Sequence, residues 1–139
     1  WDPKTRETAD HSLPYTVAAA LTDNIITQNS FSQDKINDPE IKRLLKASTL
    51  NENAELSKGY PDGIPNRIIV HTKDNVYKSE VKYPRGHANN KMDRSEIFNK
   101  FEKNTHGKYT DLKIKDIAEN IYSINNFESI SEIFMELKI

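Results

Sequence analysis

Cysteine is absent from the 139 residues, and glycine, methionine and tryptophan are scarce, at 4, 2 and 1. Without cysteine there can be no disulfide, thiolate nucleophile or cysteine-ligated zinc or iron–sulfur centre within this segment, a composition that suits a cytoplasmic protein. The few glycines form no phosphate-cradling loop, which argues against nucleotide binding of that kind. An excess of charge of one sign is also lacking. Lys and Arg number 20 against 21 Asp and Glu, interleaved for a net charge of −1, so no broad field is available to attract nucleic acid or an anionic membrane. No apolar run approaches the roughly 20 residues needed to cross a bilayer, and nothing resembles a signal peptide. The 4 histidines show no i, i+4 pair and the carboxylates no calcium-loop pattern, so neither a metal nor another cofactor is expected.

What is present is enough for one domain with a core. Residues 1–139 are read as a single α+β domain, with a sheet-containing part over about 1–92 and helices over about 93–139. The opening Trp1-Asp2-Pro3 does not resemble a natural start, so a fragment of a longer protein is expected.

A helix is predicted from Leu13, with Ser12 or Asp10 as its cap, Pro14 in the first turn and Asn24 closing it in a left-handed conformation. A polar loop should follow through Gln33. Asp38-Pro39 opens the next helix, with Ile41, Leu44 and Leu45 on one face. Ser48 to Asn51 could form a short strand, and Gly59 to Pro65 reads as a loop. Arg67–Thr72 and Val76–Tyr83 are predicted as the strands of a hairpin. Asp74-Asn75 supplies the turn, Asn75 accepting positive φ. Three helices close the chain. One is capped by Asp93 with Glu96, Met92 stapling onto Ile97; one covers Asp111–Tyr122; the last starts at Ser129-x-x-Glu132. Together they carry Ile114, Ile117, Ile121, Ile130, Ile133, Phe134 and Leu137, an apolar surface large for so small a sheet.

Lys4, Arg6 and His11 gather just before the first predicted helix. Two cations, a histidine and the free N–H groups of a helix start suit a carboxylate or phosphate, and a histidine can move protons near neutral pH. The plainer alternative pairs Arg6 with Glu7 or Asp10 and leaves His11 decorating a helix end. Tyr15, one turn on, could bind a carboxylate, donate a proton, or be buried with its hydroxyl satisfied. Arg85 and His87 flank Gly86 after the second strand. They could form a pocket edge with Lys91 beside them, or a solvated loop. Tyr60 in the glycine/proline loop carries no assigned role, and His71 and His106 read as structural.

Thr5-Arg-Glu-Thr-Ala-Asp-His-Ser-Leu-Pro-Tyr15 resembles the signature opening the second domain of the MmgE/PrpD family. Further pieces follow in the family's order: Asp23-Asn24, Ser30-Phe31, Asp38-Pro39, the Lys73-Asp74-Asn75 turn and Tyr83-Pro-Arg-Gly-His-Ala88. Asn24 and Asn75 stand where the family favours glycine. The resemblance implies a lyase that removes water from a citrate-like tricarboxylate, with 2-methylcitrate to 2-methyl-cis-aconitate in propionate catabolism (the methylcitrate cycle) as the leading case. Decarboxylation of cis-aconitate or epimerisation of an amino-diacid on the same fold are the alternatives. It also implies a larger helical domain preceding this one, a fragment inactive alone, a homo-oligomeric parent and no required metal. In the family the matched Asp-His-Ser segment faces the cleft between two domains. His11 and Tyr15 then become the catalytic candidates, and Lys4, Arg6, Arg85 and His87 the substrate-binding ones. From a different class, a non-catalytic module binding a protein or metabolite would fit the same composition.

Overall fold

The computed structural model describes residues 2–137, and these form an α+β arrangement of helices and one two-stranded antiparallel sheet. The chain divides into two compact units, the first ending at Lys58 and the second beginning at Gly59. The hairpin falls in the second of these units, with the terminal helices.

The first unit is helical. A short helix α1 (Arg6–Asp10) precedes α2 (Leu13–Asp23), and a 3-10 turn over Gln28–Phe31 leads into α3 (Gln33–Ile36), α4 (Pro39–Ala47) and α5 (Ala54–Ser57). Helix α2 begins as its sequence dictates. Ser12 Oγ accepts the Tyr15 N–H, Pro14 occupies the first turn, and Asn24 closes the helix at φ 58°. Asp38 caps α4 through the N–H groups of Glu40 and Ile41, with Pro39 at the first position. The core joins Ala9 of α1, Tyr15, Ala18 and Ala19 of α2, Ile36 of α3 and Ile41 and Leu45 of α4, with Phe31 and Leu44 against it. Two alanines on the buried face of α2 let α4 approach closely. Lys35 Nζ reaches Asp23 Oδ1 at 2.5 Å and ties α3 to the end of α2.

Two expectations fail here. The polar stretch to Gln33 is not simply a loop, because Thr27 with Ser30 and then Ser32 cap two short turns of helix. Ser48 to Asn51 is irregular rather than a strand.

In the second unit, β1 (Asn66–His71) and β2 (Val76–Val81) pair from Asn66↔Val81 to His71↔Val76. The turn differs from expectation, since Asn75 does not adopt positive φ; Asn24 is the one non-glycine residue that does among the described residues. The reason is loop length. Four residues separate the strands, and Thr72 both donates its hydroxyl to the Asn75 carbonyl (3.0 Å) and accepts the Asn75 N–H (3.1 Å), a closure that needs no left-handed residue. Nearly every hairpin residue is exposed, including its apolar face of Ile68, Tyr77 and Val81.

Helices α6 (Arg94–Thr105), α7 (Asp111–Tyr122) and α8 (Ile130–Glu136) follow, with Asp93/Glu96 and Ser129/Glu132 forming the expected capping boxes. Helix α7 packs on both α6 and α8 and buries Ile114, Ile117 and Ala118, with Ile133 from α8. Arg94 stacks 4.0 Å above the Tyr122 ring and pairs with Glu119, pinning the start of α6 to α7. Ile121, Ile130, Phe134 and Met135 stay exposed. No helix among the described residues is long and apolar enough to cross a membrane.

Candidate functional site

The segment from Lys4 to Tyr15 is shaped by helix α1, whose presence the sequence reading missed. Its signal is Thr5-x-x-Thr8: the Thr5 hydroxyl accepts the Thr8 N–H at 3.2 Å, and Thr8 Oγ1 accepts the Thr5 N–H at 3.0 Å. The helix runs five residues to Asp10, with His11 as its C-cap. Because α1 stops one residue before the Ser12 cap of α2, His11 lies at the bend between two helices.

His11 Nδ1 lies 2.9 Å from the Glu7 carbonyl oxygen and 2.6 Å from Asp10 Oδ1. Its side chain is 81% exposed, that of Asp10 44%. The Glu7 carbonyl, and then the Asp10 carboxylate, raise the imidazole pKa above its ordinary value, since both stabilise the protonated ring. Arg6 projects from α1 as an exposed side chain without an ion pair among the described residues, so the surface pairing with Glu7 or Asp10 does not form. Lys4 is engaged. Its Nζ sits 2.6 Å from Asp2 Oδ2, an exposed contact.

The expected row of free N–H groups at the start of α2 is largely spent. Ala9 O accepts the Ser12 N–H, Ser12 Oγ accepts that of Tyr15, and proline has none, which leaves Leu13. Whatever anion affinity this end has therefore rests on side chains.

Tyr15 is fully buried, and its hydroxyl donates to the Ser30 carbonyl at 2.7 Å. Burial raises the phenol pKa, with Asp23 and Asp38 adding to the effect. This is the buried, satisfied tyrosine of the two possibilities, its hydroxyl hydrogen committed to the Ser30 carbonyl.

In the second unit, Arg85 and His87 do not converge on one pocket. Arg85 Nε donates to Glu96 Oε1 at 2.7 Å, its Nη2 pairs with Glu96 Oε2, and Nη1 donates to Asn90 Oδ1 at 2.8 Å. Glu96 is also the capping-box residue of α6, accepting the Asp93 N–H at 2.9 Å, so this arginine fastens its loop to a helix start. Two hydrogen bonds hold the Glu96 carboxyl below the usual carboxylate range, from Arg85 first and then from Asp93. His87 stacks on Tyr83 with ring centroids 5.0 Å apart, and its Nδ1 accepts the Asn89 N–H at 3.1 Å. Gly86 adopts φ 98°, a conformation that a side chain would strain. Lys91 is exposed, as is Tyr60, while the backbone N–H of His106 closes the C-terminus of α6 on the Glu102 carbonyl.

No group of three or more histidines or carboxylates is placed to hold a metal ion among the described residues. The arrangement is α+β, and its opening segment carries the exposed Asp10–His11 pair on a short helix whose first residue, Arg6, makes no ion pair among the described residues. Residues 1–123 match the model of the MmgE/PrpD C-terminal domain, and the chain belongs to that family. It is similar to the probable 2-methylcitrate dehydratase of Saccharomyces cerevisiae, at 27% identity over 129 residues, covering 85% of this chain and 24% of that protein. It is also similar to the cis-aconitate decarboxylase of Mus musculus, at 26% identity over 125 residues, covering 88% of this chain and 24% of that protein. The chain therefore spans about a quarter of the length of these relatives.

Proposed function

We propose that this chain is the C-terminal domain of a cytoplasmic lyase that eliminates water from a citrate-like tricarboxylate, 2-methylcitrate being the leading substrate, in propionate breakdown. The family match over residues 1–123 carries this reading, and the relative from yeast supports the substrate class. Such an elimination needs a base to take the acidic proton beside a carboxylate. It also needs an acid to help hydroxide leave and cations to hold the carboxylates. In this proposal His11 exchanges the proton, Arg6 binds a carboxylate, and Lys4 can join it by releasing Asp2. An exposed ion pair of the Lys4–Asp2 kind contributes little, so exchanging one carboxylate for another is easy.

The remaining groups would come from a helical domain elsewhere in a longer, homo-oligomeric protein, which leaves this segment inactive alone; its quarter share of the relatives' length supports that view. Decarboxylation of cis-aconitate is the second reading, favoured by the near-equal similarity to the mouse decarboxylase. Both reactions stabilise a carbanion beside a carboxylate, so the same His11 and Arg6 would serve either.

Assays of the full-length protein test this, following unsaturated product by ultraviolet absorbance from 2-methylcitrate and citrate, and carbon dioxide release from cis-aconitate. His11→Ala should lower kcat/KM by about 10²-fold or more, the usual loss with a general acid–base group. A loss within about threefold removes His11 from the chemistry. Arg6→Ala should raise KM, and an unchanged KM takes Arg6 out of the site.

A further inference from the structure

We infer that Asp10 is a positioning residue, which together with the Glu7 carbonyl holds His11 as the Nδ1–H tautomer and so makes Nε2 the atom that exchanges a proton with a ligand. This rests on the proton-transfer role proposed for His11. The argument is one of donors and acceptors. Nδ1 faces the Glu7 carbonyl oxygen at 2.9 Å and Asp10 Oδ1 at 2.6 Å, and neither a carbonyl nor an ionised carboxylate can donate. The proton in both contacts must therefore be the imidazole's own.

A neutral ring carries a single N–H, so with Nδ1 protonated the lone pair is left on Nε2. That atom has no hydrogen-bond partner among the described residues, on a side chain 81% exposed. One acceptor is fixed by backbone structure, since the Glu7 carbonyl belongs to a five-residue helix whose first turn is locked by the Thr5–Thr8 box. Asp10 is the adjacent residue, and its negative charge also favours the imidazolium formed when Nε2 takes a proton. The other charged groups on elements packed against α1 are Asp23 of α2 and Asp34 and Lys35 of α3. None acts on the ring; Asp10 and Glu7 are the ones that do.

Nitrogen-15 labelling of the histidines reads the tautomer directly. Above the His11 titration, long-range proton–nitrogen correlation should show a protonated Nδ1 and a bare Nε2 in the unmodified protein. In Asp10→Asn, which preserves shape and removes charge, the ratio of Nδ1–H to Nε2–H forms should fall by about two- to fivefold, as losing an exposed charge contact implies. In the enzyme the same variant should lower kcat more than it changes KM. A wild-type ring mainly in the Nε2–H form overturns the assignment without any variant, and so does an unchanged ratio in Asp10→Asn. The proposed function fails separately. Full activity in His11→Ala, with the wild-type ring in the Nδ1–H form, would reduce the pair to a structural contact, whereas an inactive His11→Ala with the wild-type ring in the Nε2–H form would overturn the Asp10 assignment alone.

Discussion

Removing one oxygen atom from Tyr15 separates a structural hydroxyl from a chemical one. In Tyr15→Phe the ring stays, and with it the packing against Phe31, whose ring centroid is 6.0 Å away. What is lost is the 2.7 Å hydrogen bond to the Ser30 carbonyl, on a residue itself 3% exposed. A hydrogen bond contributes about 0.5–1.5 kcal/mol net, and a buried acceptor left without a donor costs about 1–3 kcal/mol. Water has no access to replace the phenol at this depth, so the expected loss lies near 2 kcal/mol, or about 8 °C in melting temperature for a domain of this size. Denaturant unfolding measures the first figure and calorimetry the second. Activity per folded molecule in the full-length protein should stay within about threefold, because the buried hydroxyl is committed to the Ser30 carbonyl. A drop of about 10²-fold with stability unchanged would refute the reasoning and return Tyr15 to the chemistry.

The other expectations are independent of one another. Ile41→Ala and Ile117→Ala empty fully buried positions in the first and second units, and each should cost about 2–5 kcal/mol by denaturant unfolding; a cost under about 1 kcal/mol would mean the packing collapses around the gap. Ser12→Ala removes the α2 cap and should cost about 1 kcal/mol by the same measurement. The carboxyl of Glu96 is depressed, so its pairing with Arg85 stabilises above the ordinary carboxylate range and is lost as pH falls through the lowered value; unfolding curves of wild type and Arg85→Gln should converge on acidification, and parallel curves would deny the pairing. Phe134, exposed with Ile130 one turn before it on α8, should drive concentration-dependent association in sedimentation, which Phe134→Asp should weaken.

The elements that could be read from sequence are those whose boundary signal is local. Ser12-Leu-Pro, Asp38-Pro39, Asp93-x-x-Glu96 and Ser129-x-x-Glu132 each place a hydrogen-bond acceptor opposite N–H groups two or three residues away, and each helix begins there. Helices α1, α3 and α5, of four or five residues, are too short to show an apolar period. Only their caps announce them, and a lone Thr, Ser or Asn cap is as common in turns. The sequence sets Arg6 and His11 close together, and the structure puts them at the two ends of α1. The partners of His11 were not legible. Asp10 could be read as a helix cap or a mate for Arg6, and only the bend after α1 turns the imidazole back toward it. Glu96 was identified as a capping residue, and nothing in the sequence shows that Arg85, eleven positions earlier, takes the same carboxylate.

These commitments change what a carboxylate ligand would meet in each unit. In the second, Arg85 has both oxygens of Glu96 and the side-chain oxygen of Asn90, so an incoming anion would have to displace a bidentate pair that also closes a helix cap. In the first, Arg6 makes no ion pair among the described residues, and Lys4 holds an exposed aspartate at their beginning. Binding there costs one weak exchange at most. An anion site built on the first unit would consequently show the signature of few, exposed cations: carboxylate affinity falling steeply with salt, and falling further when Arg6 is removed than when Arg85 is. Equal losses from Arg6→Ala and Arg85→Ala would mean that the Glu96 pair opens on binding, and that the positions of the charges in the free protein are a poor guide to the bound one.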